Sequence, residues 1–171
     1  MKEIGILLVV IAATALGITA GDSLRKRYRS WAELKILMNI LKGQLQYGAD
    51  PLNEVFRKLG ERTEGCFSNF FRRTAEAMED RCSCSLEALL QENARIYLKM
   101  SGLSRREQEQ LVRICAMIGQ MSRESQISVL EGYLFTIQQE ETAALEKVRQ
   151  KETMYRCLGL MGGLFFAILL Y

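Results

Sequence analysis

The sequence predicts an all-α protein: a bundle of about six helices set between an N-terminal and a C-terminal transmembrane helix. Three observations carry this. One proline stands among 171 residues, and proline is the residue that interrupts helices most strongly. Apolar residues through the middle of the chain recur every three to four positions, the helical period, with no strand signal and no internal repeat. Both ends of the chain are uncharged apolar runs.

The first run, Ile4 to Gly21, holds 18 residues without a charge. As a helix it measures about 27 Å, close to the hydrocarbon thickness of a bilayer. Its alternative is a cleaved signal peptide opened by Lys2, for which Ile18-Thr19-Ala20 is a poor small-x-small cleavage site. The second run, Cys157 to Tyr171, holds 15 residues. That is about 22 Å of helix, short but tolerable where the bilayer thins or Arg156 snorkels. Its alternative is a buried core helix, although a chain ending on AILLY offers no polar cap. Tyr155 and Tyr171 bracket this run as interfacial anchors.

Charge beside the runs sets a topology. Arg25, Lys26, Arg27 and Arg29 follow the first, and Lys147, Arg149, Lys151 and Arg156 precede the second. The positive-inside rule then places residues 22–156 in the cytoplasm and both termini outside. Three parts follow: an N-terminal transmembrane helix (1–21), a cytoplasmic helical bundle (22–156) and a C-terminal transmembrane helix (157–171). Lys2 cancels Glu3, so the net charge of +3 belongs to the middle part. It is too small to argue for nucleic acid, but its placement favours anionic lipid headgroups. Gly159 and Gly163, and the stripe Ala13, Gly17, Gly21, suit close pairing of the two helices or packing on a partner helix, or else reflect only how common glycine is in membrane helices.

Helices follow in order through the middle. Trp31, Leu34, Leu37, Met38, Leu41 and Leu45 mark a first helix from about Ser30 to Gln46. Gly48 suits its end, Asp50 an N-cap and Pro51 the N1 position of the next. That second helix, to about Arg62, buries Leu52, Val55, Phe56 and Leu59. Glu64-Gly65 punctuates. The third, about Cys66 to Asp80, presents Phe67, Phe70, Phe71, Thr74 and Met78. Ser83-Cys84-Ser85 offers a cap for the fourth, about Leu86 to Met100, with Leu86, Leu89, Leu90, Ala94 and Leu98 inward. Ser101-Gly102 ends it. Ser104 to Glu107 reads as a capping box that opens the fifth. This runs to about Gln120 and turns Leu111, Ile114, Cys115 and Ile118 inward. Ser122 caps the sixth, with a near-heptad stripe of Ile127, Leu130, Leu134, Ile137, Glu141, Leu145 and Val148. No breaker follows, so one rod runs from about Glu124 into the terminal run. The polar remainder of QQEETAALEKVRQKE reads as a solvated face.

Candidate chemistry is sparse. The chain has no histidine, which excludes Ser-His-Asp and Cys-His catalysis and His-ligated metal sites. Five cysteines, Cys66, Cys82, Cys84, Cys115 and Cys157, form no paired zinc spacing, and Cys82-x-Cys84 departs from the usual C-x-x-C redox form. They read as reduced cytosolic thiols, with Cys115 and Cys157 on apolar faces. Glu79-Asp80 and Glu140-Glu141 are sequence neighbours, and helical neighbours diverge by about 100°, so neither pair converges on one atom. No Gly-rich phosphate loop is present. The expectation is no catalytic residue, no cofactor-binding or metal-binding residue, no cofactor and no small-molecule substrate.

Over nearly its whole length the chain resembles the stage III sporulation protein AB family of endospore-forming bacteria. The most specific segment is LKGQLQYGADPLNEVFRKLG, where Tyr47, Gly48, Pro51 and Leu52 fall on the family pattern. A second is RICAMIGQMSRESQISVL, where Gly119, Ser125 and Gln126 match. Ile118 stands where the family usually has leucine, a volume-conserving change. The run Leu158 to Leu164 resembles the family's terminal helix. The resemblance implies a cytoplasmic domain like that of the inner-membrane platform proteins of type II secretion and type IV pilus machines. It implies a non-enzymatic platform or scaffold of the mother cell-to-forespore channel, in the mother-cell membrane facing the forespore. Partners implied are the lipid bilayer, other channel subunits, a secretion-type ATPase and further copies of the chain. The family carries no catalytic residue to transfer, and its Tyr-Gly-x-x-Pro-Leu element reads as hairpin architecture. The alternative is a membrane-anchored helical adaptor or sensor unrelated to secretion.

Overall fold

Two helices far longer than the rest organise the chain. In the computed structural model, α1 spans Lys2–Tyr47, 46 residues, and α6 spans Arg123–Leu170, 48 residues. Between them lie α2 (Leu52–Glu61), α3 (Gly65–Glu79), α4 (Leu86–Tyr97) and α5 (Arg105–Ile118). The backbone is described for residues 2–48, 50–80 and 84–170, and side chains for 22–48, 50–80, 84–151 and 154. All elements among the described residues are helical. The two uncharged terminal runs, with their glycine stripes and with Cys157, lie outside the residues whose side chains are described. So does Cys82. Among the described residues no helix is long and apolar enough to cross a membrane.

α1 and α6 pack against each other as an antiparallel hairpin. Ion pairs fix their register: Lys42 with Glu131 at 2.6 Å, Lys35 with Glu141 at 2.8 Å, and Arg27 with Glu140 at 3.4 Å. The other helices form a serpentine in which α2 packs on α3, α3 on α4 and α4 on α5. Trp31, Leu34, Leu37, Met38 and Leu41 of α1 meet Val55, Phe56, Leu59, Phe67, Phe70 and Phe71 in the core, with Leu90, Leu98, Leu111, Cys115 and Ile118. Phe71 sits at its centre, its ring 4.9 Å from Phe70 and 5.6 Å from Phe56. Thr74 is buried because its hydroxyl donates to the Phe70 carbonyl and accepts from Asn93, which removes the cost of an unpaired buried polar group.

Some expected details are corrected. α1 does not begin at Ser30. Residues 22–29 continue the helix from the terminal run, because nothing after Gly21 breaks it and Lys and Arg are good helix formers. Asp50 is not the N-cap of α2, nor Pro51 its N1. Pro51 itself holds the capping position, extended at ψ 155°, and its carbonyl accepts the first helical bond from Val55 at 3.1 Å. One residue further out, the Asp50 carboxylate pairs with Lys58 at 2.6 Å. α4 stops at Tyr97, and Leu98–Met100 tighten into a 3-10 turn. The polar face of α6 is not simply solvated, since Glu140 and Glu141 pair with α1. Its buried seam is Leu130, Tyr133, Ile137 and Ala144.

The α4–α5 corner turns on Gly102, whose φ of 81° is a left-handed conformation that favours glycine. A Cβ there would lie 3.3 Å from the Arg27 amide nitrogen, so this corner rests on the backbone of α1. Ser30 seals it by donating its hydroxyl to the Ser101 carbonyl. Arg27 then joins three helices, through the Glu107 carboxylate of α5 and Glu140 of α6.

Candidate interaction site

The helix directions sort the turns into two groups. The α4–α5 corner lies beside Lys26 to Ser30 in the middle of α1, and the α2–α3 turn, whose Thr63 bonds to Glu33, lies at the same end of the bundle. The α1–α2, α3–α4 and α5–α6 turns gather at the other end, around Tyr47. Asn53 of α2 bonds to Glu79 at the end of α3 at 3.4 Å, and Gly119 after α5 lies against Leu86 and Leu52.

This second end unites the two motif segments that lie some seventy residues apart in sequence. The Arg123 guanidinium donates to the Gly48 carbonyl at 2.7 Å. Gln126 reaches back along α6 and donates its side-chain amide to the carbonyls of Ile118 (2.7 Å) and Met121 (3.1 Å). These are carbonyls that the end of α5 would otherwise leave without a partner. The Ser122 and Ser125 hydroxyls lie 3.1 Å apart beside them. Ser125, Gln126 and Gly119 therefore build one α5–α6 turn, and Gly48 ties it to the α1–α2 turn.

Space explains the two glycines. A Cβ at Gly119 would come within 2.5 Å of a Leu86 methyl and 3.5 Å of a Leu52 methyl. A Cβ at Gly48 would sit 2.5 Å from the Gln44 carbonyl oxygen, to which the Gly48 amide donates at 2.8 Å. Leu52, partly buried, packs on the core below. Gly48, Pro51, Leu52, Gly119 and Gln126 thus have architectural roles.

Tyr47 is different. Its side chain is 84% exposed, and no hydrogen bond or core contact with the described residues accounts for a large aromatic ring there. Around it this end carries Asp50, Glu79, Asp80 and Glu124, all exposed. Asp50 is neutralised by Lys58, and among the described residues of this end Glu79, Asp80 and Glu124 stand against the one cation of Arg123. Sequence reasoning placed Tyr47 in the hairpin motif and missed its exposure. The only signal was its position two residues beyond the apolar stripe of α1, which ends at Leu45.

No convergent chemistry appears elsewhere among the described residues. The Glu140 and Glu141 carboxylates engage different cations. No group of three or more Cys, Asp or Glu side chains among the described residues is placed to hold a metal ion. Cys66 is partly buried, Cys84 exposed and Cys115 buried, all as free thiols. Burial pushes the Cys115 thiol up to about 12, which keeps it protonated and inert. An open depression on the outer face of α6, lined by Phe135, Gln138, Thr142 and Glu146, belongs to one helix. It lacks the enclosing walls of a small-molecule site.

An all-helical bundle with a filled core, built on two long antiparallel helices, is the class of protein that this fold defines. The chain belongs to a particular family of that build: the family model described as Stage III sporulation protein AB matches residues 2–171. It is similar to Stage III sporulation protein AB of Bacillus subtilis (strain 168), at 22% identity over 170 residues, which cover 99% of each chain. A solved structure of a Stage III sporulation protein AB matches with a TM-score of 0.65 at 18% identity, over 72% of this chain and 97% of the solved one. That likeness concerns the fold. The family name denotes a component of sporulation and names no reaction.

Proposed function

We propose that this chain is a membrane-anchored, non-enzymatic platform of the sporulation channel machinery. Residues 1–21 and 157–171 are its membrane helices. Residues 22–156 are its cytoplasmic bundle, in the mother-cell membrane that faces the forespore. The end around Tyr47 is the contact surface for a cytoplasmic partner, for which a secretion-type ATPase is the first candidate. Other channel subunits and further copies of the chain complete the assembly.

One observation carries this reading. α1 and α6 are antiparallel, so the two uncharged runs leave the bundle from the same end, each through a basic segment. Helices of 46 and 48 residues are far longer than the 10 to 15 residues of α2 to α5. A bilayer beyond the basic residues gives both runs a solvent, and the motif-bearing end then points away from it.

Tyr47→Ala tests the contact surface. An exposed side chain contributes within about 0.5 kcal/mol to stability, so accumulation and membrane fractionation stay at wild-type level. An aromatic anchor at an interface is worth about 2 kcal/mol, roughly thirty-fold in affinity. Recovery of the ATPase with the tagged full chain from sporulating cells should fall by that order, and heat-resistant spore yield with it. Wild-type recovery by the variant would refute the assignment of this end. Recovery of neither ATPase nor channel subunit by the wild-type chain would favour the adaptor reading.

A further inference from the structure

We propose that the α4–α5 corner, residues 95–106, is a second membrane contact: a foot that rests on anionic headgroups beside the anchors. This inference rests on the membrane-anchored reading above, and the test below separates the two.

The corner is chemically unlike the rest of the bundle surface. The stretch RIYLKMSGLSRR carries Arg95, Lys99, Arg105 and Arg106 and no acid. Arg95, Lys99 and Arg106 are exposed and make no ion pair among the described residues. Arg105 pairs only with Glu109 of its own helix, at 3.1 Å. Among these cations stand two exposed apolar side chains, Ile96 at 53% and Met100 at 64% exposure. Ile96 lies in the last turn of α4 and Met100 in the 3-10 turn that follows it. Exposed apolar side chains set among unpaired cations suit an interfacial segment, in which apolar groups enter the headgroup boundary while cations bind the anionic lipid around them.

The position fits. Gly102 packs on the backbone of Arg27, and Arg27 lies six residues from Gly21, the last residue of the uncharged run. At 1.5 Å per residue this puts the corner about 9 Å from the hydrocarbon edge. Each headgroup layer is about 5–8 Å thick, and long Lys, Arg and Met side chains span the remainder. A modest tilt of the anchors brings the corner closer. The foot also extends the basic collar of Lys26 and Arg29 laterally, off the hairpin axis. At this end the exposed cations Lys26, Arg29, Arg95, Lys99 and Arg106 outnumber the acids Glu61 and Glu64 of the neighbouring α2–α3 turn, whereas the opposite end carries Glu79, Asp80 and Glu124 against Arg123, with Asp50 neutralised by Lys58. This charge difference favours an anionic surface at the corner over the other end.

The test uses the full chain reconstituted into vesicles and its single tryptophan, Trp31, which is fully buried and gives a constant background. Met100→Trp adds a reporter at an already exposed position. In vesicles of phosphatidylglycerol and phosphatidylcholine, a headgroup-nitroxide lipid should quench at least half of the added fluorescence. In phosphatidylcholine alone the quenching should fall sharply. The double change Lys99→Glu and Arg106→Glu should abolish it, since each cation near an anionic surface is worth about fivefold in binding. Leu164→Trp, with lipid brominated along the acyl chain, reports the anchor separately. Quenching of Leu164→Trp without quenching of Met100→Trp would overturn the foot and leave the anchor standing. Quenching of neither would overturn both. A blue shift of Met100→Trp that depends on protein concentration and not on lipid would assign the corner to a second copy, and overturn the proposal.

Discussion

Gly60 offers the sharpest test of how α2 and α3 are held together. It is buried near the end of α2. A Cβ there would lie 2.9 Å from the Arg72 amide nitrogen and 3.0 Å from the Ser68 carbonyl oxygen. Both atoms are backbone of α3, so neither can swing aside. Ordinary contact requires the helices to separate by about 0.5 Å or more, and a gap of that size forfeits a quarter or more of each dispersion contact. The Ser68 hydroxyl, which donates to the Gly60 carbonyl at 2.6 Å, is stretched as well. Overpacking of this kind costs about 1–3 kcal/mol. Alanine returns about 0.5–1 kcal/mol of helix propensity. Gly60→Ala should therefore lose up to about 2.5 kcal/mol, centred slightly above 1 kcal/mol, a fall in Tm of about 3 °C at the centre for a chain of this size. Gly132 on α6 is the control, because a Cβ there meets nothing within 4 Å. Gly132→Ala should gain the propensity alone, about 0.5–1 kcal/mol. The assay is thermal unfolding of the full chain in detergent, followed by circular dichroism. Gly60→Ala as stable as the wild type, or equal losses from both variants, would refute the close-approach argument.

Phe71→Ala empties the centre of the aromatic cluster and should cost about 3–5 kcal/mol, seen as a lower urea midpoint; a loss under 1 kcal/mol would contradict the packing. Glu107 both caps α5, accepting from the Ser104 amide at 2.6 Å, and pairs with Arg27. Glu107→Gln keeps a cap acceptor and should lose about 1 kcal/mol, whereas Glu107→Ala should lose about 2–3 kcal/mol; equal losses would deny the capping role. Burial raises the Cys115 thiol from the ordinary 9.0 to about 12. The native state thus favours the protonated thiol, so its contribution is complete below pH 9 and is lost as pH rises toward 12. The urea midpoint should fall between pH 8 and pH 10.5, and less steeply in Cys115→Ala; identical slopes would remove Cys115 as the cause.

Much of the bundle was legible in the sequence because its helices announce themselves locally. The stripes Trp31-Leu34-Leu37-Met38-Leu41 and Phe67-Phe70-Phe71-Thr74 are buried as their spacing predicts. The Ser104–Glu107 capping box closes, and Ser85 caps α4 by accepting from Ala88 at 3.2 Å. What failed depended on geometry that spacing does not encode. Asp50 and Pro51 satisfy the capping rule in either of two registers, and pairing with Lys58, eight residues on, accompanies the register found. On α6 the heptad reading favoured Leu134. Tyr133 is the more deeply buried at 3% exposure, because the seam turns toward α5 as well as α1. The motif segments around Gly48 and Gly119 were visible as strings. Their meeting through Arg123 and Gln126 was not, because it needs the directions of all six helices.

The hairpin of α1 and α6 has a mechanical consequence. Measured along their axes, the two helices run about 69 and 72 Å, with no proline in either and therefore no built-in proline hinge. Sliding one past the other by a turn would pull Lys35 from Glu141 and Lys42 from Glu131 together and drag the Trp31 and Leu34 knobs out of their holes. The pair behaves as a stiff strut, its rungs locked against shear. An axial displacement of one helix is therefore shared by the other, so the pair moves as one body along its length.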